Sequence, residues 1–464
     1  MSEPGFRIDN PYSGETVAER RFLADAEVEG VVARASRAQK AWARTSLAER
    51  LALCERFCAA FEADAERIAR EVTLQMGKPL SQARAEVRTA VARARTMMSI
   101  APQALADEPL DAVPGFTRFI RHDPIGVVLD ISAWNYPLLI TINIAVPAVL
   151  AGDAVLIKHA ARTALCGEAF ARCFSAAGAL EGLVTAVDAT HATTARILAR
   201  PEVSFVSFTG SVRGGHEVYA EAARRFIDAG LELGGKDPAY VAADADFDHA
   251  VANLVDGAFY NAGQSCCGIE RIYVHAQLYD RFVEAAVAEV RKLRLGDPLD
   301  AQTTLGPLAQ PGAPEKLVAQ VDEARAKGGR VLCGGAPIHH EGKGRFFDPC
   351  VVADATHAMH GLMVEESFGP IVGIARVKDD EEAVRLMNDS PYGLTAAIWT
   401  RDQERAFRIG AQIETGTFFM NRCDYLDPAL PWTGVKDTGK GMSLSRYGFL
   451  SLTRRKSFHL RTQT

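Results

Sequence analysis

The stretch Asn261–Arg271, NAGQSCCGIER, governs the interpretation of this chain. It follows an apolar helical run that ends GAFY at residues 257–260, and it places Cys266 and Cys267 in a turn of small and polar residues. A thiol on such a turn can face a cleft and be ionised by nearby backbone dipoles, which is what a nucleophilic cysteine requires. We therefore interpret Cys266 as the nucleophile and Cys267 as part of the pocket wall.

A second candidate catalytic group lies upstream, in the sequence LELGGK at Leu231–Lys236. Glu232 stands between two leucines and before a glycine pair, a setting that keeps a carboxylate partly desolvated. Such a carboxyl group can act as a base near neutral pH, because burial disfavours its charged form. Neither motif is decisive alone, but the two in this order resemble the aldehyde dehydrogenase superfamily, and the resemblance extends over nearly the whole chain.

That resemblance implies a mechanism. The Cys266 thiolate attacks an aldehyde carbonyl, the adduct is oxidised to a thioester with NAD(P)⁺, and Glu232 activates the water that releases a carboxylic acid. Two rival functions remain open. A CoA-acylating aldehyde dehydrogenase would not need Glu232 as a base. A catalytically silent structural or binding protein on the same fold would not need to retain Cys266, Glu232 and Asn135.

Asn135 lies in the sequence AWNYP, directly after a strand of the fully buried type at residues 126–131. From the residues alone, a helix-capping asparagine is the simpler interpretation. The match to the family's Trp-Asn-aromatic-Pro motif implies instead that Asn135 forms half of an oxyanion hole. The backbone N–H of Cys266 forms the other half, and Trp134 contacts the cofactor.

The turn Thr209-Gly210-Ser211 connects a strand to a helix. Glycine lets the backbone approach a pyrophosphate there, and the helix N-terminus offers N–H donors. Such turns also occur without ligands, and this one lacks the G-x-G-x-x-G pattern. Its likeness to the family's Phe-Thr-Gly-Ser turn implies that it binds the dinucleotide.

Lys158 ends a strand, at the edge where open α/β sheets bind ligands. The resemblance implies that Lys158 holds the adenosine ribose, that Glu366 binds the nicotinamide ribose and that Phe368 packs near the nicotinamide. Many relatives carry an acid three residues after this lysine, which selects NAD by repelling a 2′-phosphate. Ala161 stands there in this chain, with the basic Arg162 beside it. We expect NAD as the cofactor, with NADP as the alternative.

Two stretches resemble succinate-semialdehyde dehydrogenases, GKPLSQARAEV at 77–87 and LIKHA at 156–160. A semialdehyde such as succinate semialdehyde is therefore the expected substrate class, although the sequence does not name the aldehyde. Small or polar residues near the nucleophile would line its tunnel, and these are Asn143, Ser265, Cys267 and Arg422.

Some semialdehyde dehydrogenases have an arginine at the position of Asn143, to hold the substrate's far carboxylate. This chain lacks it. We expect Arg422 to supply that charge from the opposite wall, with a brace to Asp424 as the alternative role.

The fold class expected is α/β, because strands and helices alternate from residue 126 onward and again after Asp237. At 464 residues the chain exceeds what one core usually serves. The resemblance implies two doubly wound α/β domains and a small β oligomerisation element. The alternating tail at 452–460 would be an edge strand of that element, and a homodimer or homotetramer is expected. The bounds are 1–103 and 125–233 for the Rossmann-like NAD(P)-binding domain, 234–436 for the catalytic domain, and 104–124 and 437–464 for the oligomerisation element.

Composition excludes several classes of partner. The net charge of −6 and pI near 6.0 argue against nucleic acid. No apolar run reaches the roughly 18 residues of a membrane span, and no signal-like N-terminus is present.

Nine scattered cysteines without a Cys-x-x-Cys pair indicate a reduced, cytoplasmic protein. No metal is expected, because the histidine pairs at 339–340 and 357/360 lack further ligands.

Overall fold

The structure is a computed structural model and describes residues 5–463. Its first part is a β-hairpin followed by helices, which matches the helical periodicity between residues 25 and 101. The Ser46 hydroxyl accepts a hydrogen bond from the Glu49 N–H and so begins the second helix, while Gly77, with a φ of 84°, ends the third. The elements are β1 (Gly5–Asp9), β2 (Thr16–Arg21), α1 (Val28–Trp42), α2 (Leu47–Ala63), α3 (Ala65–Met76), α4 (Leu80–Ala104), β3 (Glu108–Pro109) and β4 (Phe116–Pro124).

The predicted alternation of strands and helices follows. The two strands at Val127–Ser132 and Ala154–His159 are apolar runs buried along all or nearly all of their length, as expected for a sheet covered on both faces. The elements are β5 (Val127–Ser132), α5 (Pro137–Ala151), β6 (Ala154–His159), α6 (Ala164–Ala176), β7 (Val184–Ala186), α7 (His191–Leu198), β8 (Val203–Thr209), α8 (Val212–Ala223) and β9 (Asp228–Glu232).

A second alternating region comes after the Gly234-Gly235 pair. Its elements are β10 (Asp237–Val241), α9 (Phe247–Phe259), β11 (Ile269–His275), α10 (Tyr279–Val290), α11 (Ala313–Ala326), β12 (Arg330–Cys333), β13 (Pro337–His340), β14 (Lys343–Phe347), β15 (Cys350–Ala353), α12 (His360–Met363), β16 (Ile371–Val377), α13 (Asp380–Asn388), β17 (Tyr392–Gly393), β18 (Thr395–Trp399), α14 (Gln403–Gly410) and β19 (Thr417–Met420). The last described elements are β20 (Val435–Lys436), β21 (Gly439–Lys440), α15 (Ser445–Ser451) and β22 (Thr453–Arg461).

Two largely parallel sheets organise these elements, which confirms the predicted α/β class. The first sheet has the strand order β21-β9-β8-β5-β6-β7, and β21 is its antiparallel member. The second has the order β12-β15-β16-β11-β10-β18-β19, with β12 antiparallel. Each sheet has its own buried apolar cluster. Most members of the first cluster come from residues up to Leu233, joined by later residues such as Cys267 and Trp432, and the members of the second begin at Ala239.

The carboxyl edge of the first sheet gathers most of the predicted site residues, because parallel strands end at the same edge. Trp134 and Asn135 follow β5, Lys158 lies near the end of β6, and Thr209 and Glu232 end β8 and β9. The catalytic turn precedes β11 of the second sheet. The two sheets therefore contribute separate halves of one candidate site.

A small antiparallel sheet, β22-β4-β3, lies apart from the two large ones. Strand β22 pairs with β4 along its whole length, from Thr453 opposite Pro124 to Arg461 opposite Phe116. It is an edge strand, as the alternating tail predicted.

Four helical cysteines are ordinary core residues. Helical Cys54, Cys58, Cys166 and Cys173 are buried, as their positions on apolar helix faces predicted. Within residues 5–463, no helix is long and apolar enough to cross a membrane.

Candidate active site

The candidate nucleophile lies on a tight connection between α9 and β11. Asn261 and Ala262 have left-handed φ values of 53° and 55°, which turns the chain sharply before the cysteines. Cys266 is partly exposed, whereas Cys267 is buried. The Cys266 side chain borders a cavity of about 250 Å³ between the two sheets.

That cavity brings together several of the predicted catalytic and substrate residues. Its lining includes side chains from the carboxyl edge of the first sheet, from α4 and α5, and from the catalytic turn. The predicted residues among them are Asn135, Asn143, Thr209, Glu232, Cys266 and Cys267.

Glu232 has the environment expected of a general base. It ends β9, and its Oε1 accepts a hydrogen bond of 2.6 Å from the Ser443 hydroxyl. Burial raises the pKa of Glu232, while the Ser443 hydrogen bond and the positive charge of Arg93 oppose that rise. The net effect is a raised pKa, in the direction that burial between two leucines predicted.

The loop of Asn135 is held by buried side chains that the motifs did not reveal. The carbonyl oxygen of Asn135 accepts hydrogen bonds from Lys78 Nζ at 2.9 Å and from Asn261 Nδ2 at 3.1 Å. Lys78 also forms a buried ion pair with Glu86 and lies 4.0 Å from the centre of the Tyr136 ring. The candidate oxyanion loop is thus tied both to the α3–α4 turn and to the catalytic turn.

The loop of Glu366 and Phe368 is held by hydrogen bonds to Glu270, on β11 of the second sheet. Glu270 accepts hydrogen bonds from the backbone N–H groups of Ser367 at 2.7 Å and Phe368 at 2.9 Å. Glu366 Oε1 accepts one from the Gly235 N–H at 3.0 Å. Burial, followed by the nearby charge of Glu270, raises the pKa of Glu366 to about 7. Its carboxyl group therefore changes charge near neutral pH.

The rings of Trp134 and Phe368 meet edge to face, with their centres 5.4 Å apart. This contact connects a predicted cofactor residue of the first sheet, Trp134, to one of the second sheet, Phe368. Phe368 itself has a left-handed φ of 56°, and the Glu270 hydrogen bonds hold this part of the backbone.

The residues present fit a dinucleotide. Ser211 caps α8, with its hydroxyl accepting from the Gly214 N–H at 3.2 Å, and its exposed position leaves the helix N-terminus accessible to a phosphate. Lys158 offers a cation at the same sheet edge, and burial lowers its pKa. Arg162 turns away instead and forms an ion pair with Asp9 at 2.7 Å. These residues would hold NAD(P), which supplies a hydride acceptor when bound.

Two of the predicted substrate residues lie outside the cavity lining. Arg422 is exposed, and its guanidinium stacks on the Tyr425 ring at 3.5 Å. The physical reason is that the next residue, Cys423, is the one packed inward, against Gly257. Ser265 is buried behind the nucleophile, and its hydroxyl donates to Asp424 at 3.2 Å. Asp424 therefore does not pair with Arg422.

The cavity contains a different arginine, which the sequence interpretation missed. Arg93 on α4 is 4% exposed, and its Nη1 donates to Asn143 Oδ1 at 2.9 Å and to the Leu139 carbonyl at 3.4 Å. Burial lowers its pKa to about 10, so it remains a cation at neutral pH. The signal was available: Glu86, Ala90 and Arg93 follow helical spacing on the buried face of α4.

This fold and cavity define a thiol-dependent oxidoreductase that binds a dinucleotide. The model of the Aldehyde dehydrogenase family matches residues 2–458, and the chain belongs to that family. It is similar to the succinate-semialdehyde dehydrogenase [NADP(+)] of Mycobacterium avium (strain 104), with 36% identity over 97% of this chain and 95% of that protein. The succinate-semialdehyde dehydrogenase [NADP(+)] 1 of Mycobacterium tuberculosis (strain ATCC 25618 / H37Rv) is also 36% identical, over 95% of this chain and 96% of its own.

Solved structures that superpose on this fold include aldehyde dehydrogenases. An NAD-dependent aldehyde dehydrogenase from Sinorhizobium meliloti superposes with a TM-score of 0.96 and 31% identity, covering 99% of this chain and 92% of that one. An NADP-dependent enzyme from E. coli gives a TM-score of 0.95 and 30% identity over 99% and 95% of the two chains. The protein is an NAD(P)-dependent enzyme that oxidises an aldehyde to the carboxylic acid.

Proposed function

We propose that this enzyme oxidises a short aldehyde whose far end carries a carboxylate, such as succinate semialdehyde, to the corresponding dicarboxylic acid. The observation that carries the proposal is Arg93, a buried guanidinium in the wall of the same cavity as Cys266. The semialdehyde activity named for the mycobacterial relatives supports the same substrate class.

The buried charge of Arg93 is the feature that points to an anionic substrate. Buried arginines are normally paired with an acid, because an uncompensated buried charge is costly. Among the described residues, no carboxylate lies within ion-pairing distance of Arg93; its close acceptors are the neutral oxygens of Asn143 and Leu139. Glu232 and Glu86 act on the Arg93 charge only from beyond that distance. A substrate carboxylate would supply a directly bonded anion through a charge-assisted hydrogen bond.

Asn143 has a supporting part in this arrangement. Its amide oxygen accepts from Arg93, so it orients the guanidinium. The positive charge that some relatives carry at the position of Asn143 is thus provided here from α4. Arg422, which stacks on Tyr425 at the surface, is not needed for the anchor.

The catalytic roles follow from the lining of the cavity. Cys266 attacks the aldehyde carbonyl, and Asn135 with the Cys266 backbone N–H stabilises the oxyanion, a contribution whose loss typically costs about 10²–10³ in rate. Glu232 then takes a proton from the water that hydrolyses the thioester. Burial raises the pKa of Glu232, which makes its carboxylate a stronger base.

The cofactor preference, cellular location and assembly complete the proposal. NAD is the preferred cofactor, which is supported by the ion pair that commits Arg162 to Asp9 and leaves it unavailable to a 2′-phosphate. Ala161 supplies no carboxylate to repel that phosphate, so NADP is the alternative cofactor. The nine free thiols support a reduced, cytoplasmic setting. The edge strand β22 supports a homodimer or homotetramer, and the two apolar clusters support the domain division at residues 233/234.

The test compares succinate semialdehyde with butanal, a neutral aldehyde of equal chain length. We expect the wild type to prefer the carboxylated substrate, and Arg93→Met to raise its KM by at least about tenfold, since a hydrogen bond to a charged group contributes roughly 1.5–3 kcal/mol. The KM for butanal should change little. Arg422→Met is the matched control and should leave both values unchanged. Equal effects of Arg93→Met on the two aldehydes would refute the anchor.

A further inference from the structure

Two adjacent thiols stand at the catalytic turn, and only one of them can be the nucleophile. Cys266 and Cys267 both border the substrate cavity. Proximity to the aldehyde therefore does not distinguish them. Cys267 is buried to 4% exposure, but it still reaches the same space.

Asp424 distinguishes them by its hydrogen bonds. One carboxylate oxygen, Oδ1, accepts from the Cys267 thiol at 2.9 Å and from the Ser265 hydroxyl at 3.2 Å. These two donors are the residues immediately before and after Cys266. The carboxylate therefore holds both neighbours of the nucleophile, and the Cys267 proton is directed at Asp424.

The loop that carries Asp424 comes from a different part of the chain than the catalytic turn. Asp424 lies after β19 of the second sheet and has a left-handed φ of 47°, a conformation that aspartate tolerates better than most residues. Cys423 beside it packs into the apolar cluster of the second sheet, against Gly257 of α9. The position of the carboxylate is thus set by packing of the loop.

We propose that Asp424 selects Cys266 as the nucleophile, by holding Cys267 as a protonated hydrogen-bond donor and fixing Ser265 and Cys267 on either side of it. Asp424 is a positioning residue in this account, since it acts through the two side chains that it binds. Ionisation of Cys267 would place a thiolate against a carboxylate, two like charges at hydrogen-bond distance. The selection therefore depends on the negative charge of Asp424 as well as on its shape.

The electrostatics agree with this geometry. A hydrogen bond with the Cys266 side chain, burial and the charge of Asp424 raise the pKa of Cys267 well above its usual value. Burial also raises the pKa of Asp424, and the hydrogen bonds from Cys267 and Ser265, with the charge of Lys78, oppose that rise.

The experiment measures the reactivity of Cys267 itself. Cys266→Ser removes the competing thiol, and the full-length protein is treated with iodoacetamide over a range of pH, with labelling at Cys267 followed by peptide mass spectrometry. We expect slow labelling in Cys266→Ser. Adding Asp424→Asn, which removes the charge and keeps the shape, should accelerate labelling at least about tenfold at neutral pH and move its onset to lower pH, because a like charge at this distance shifts a pKa by roughly 1–3 units.

Two further variants keep the result interpretable. Asp424→Ala in the same background should also accelerate labelling, and it replaces Asp424→Asn if that protein does not fold. Asp427→Asn should leave the rate unchanged. Asp427 lies on the same loop, and its side chain accepts a hydrogen bond from the Ala429 backbone N–H at 2.9 Å. Labelling of Cys267 that is as fast in Cys266→Ser as in the double variants, or slow in all of them, would overturn the proposal.

Discussion

The carbonyl oxygen of Cys266 lies directly against Gly235, so that a β-carbon at position 235 would approach it to 2.2 Å. Real β-carbon contacts are not that short, so the backbone of the nucleophile requires glycine at this position. The contact joins the Glu-Leu-Gly-Gly-Lys motif to the catalytic turn. It gives a physical reason for the two motifs to occur together in one chain.

Gly235→Ala should abolish activity, because the new methyl group displaces the Cys266 backbone and with it the N–H that we propose stabilises the oxyanion. A loss of at least about 10² in kcat is expected from that group alone. Steady-state NADH formation measures it. Gly312→Ala is the control: its β-carbon would meet nothing within 4 Å, and full activity is expected there. A fully active Gly235→Ala enzyme would show that the turn can move without cost.

Glu232→Gln should accumulate the thioacyl enzyme, because the amide cannot take a proton from water. Rapid mixing should show a burst of NADH followed by slow turnover. A burst that falls as much as the steady state would instead assign Glu232 to activation of the thiol. Added CoA should not restore turnover, and restoration by CoA would favour an acylating enzyme.

Ser443→Ala should move the acid limb of kcat to higher pH. The Ser443 hydroxyl donates to Glu232 at 2.6 Å and holds down a pKa that burial raises. Without this donor the carboxyl group is protonated at a higher pH, and a protonated base cannot accept the proton of water. The measurement is kcat against pH with one saturating aldehyde. Ser451→Ala, whose hydroxyl bonds backbone carbonyls instead, should leave the profile in place.

Ala161→Glu should sharpen the preference for NAD, because a carboxylate there repels the 2′-phosphate of NADP. Ala161 is exposed just beyond β6 and Lys158. The ratio of kcat/KM for the two cofactors should change by about tenfold or more, in line with one close like-charge contact. An unchanged ratio would mean that position 161 does not face the ribose.

Lys78→Met should lower both stability and kcat. It leaves the buried Glu86 without its partner, which costs about 3–5 kcal/mol in comparable buried pairs. The double change Lys78→Met with Glu86→Gln should recover much of the stability but not the rate, since the Asn135 carbonyl still lacks its Lys78 donor at 2.9 Å. Thermal unfolding and kcat measured together separate the two effects. Recovery of both in the double variant would limit Lys78 to a structural role.

Local motifs predicted the α/β fold and the strand-end positions of Asn135, Lys158, Thr209 and Glu232, because each depends on a few neighbouring residues and on which strand they follow. The same is true of the helical cysteines, which are buried on apolar helix faces. The characteristic sequence of its turn singled out Cys266, which lines the cavity, and its role as the nucleophile stays a prediction.

The substrate wall was not predictable in the same way. Whether Arg422 or Cys423 packs inward depends on the loop backbone, and Asn421 and Asp424 on either side have left-handed φ values of 55° and 47° that sequence register does not reveal. Arg93 reaches the cavity through the packing of α4 against α5, a contact between elements about fifty residues apart. Long-range packing of this kind leaves only the weak signal of an arginine on a buried helix face.

Strand β21 lies beside β9, with Gly439 opposite Glu232, and Ser443 follows it to bind the same carboxylate. These partners are separated by 211 residues along the chain. At the roughly 5–20 residues per second of protein synthesis, about 10–40 s pass between the translation of Glu232 and that of Ser443. During that interval the ribosome carries a nascent chain in which the open edge of β9 has no partner. The first sheet is therefore completed only near the end of translation. Until then, the unpaired edge of β9 can pair with a strand of another chain.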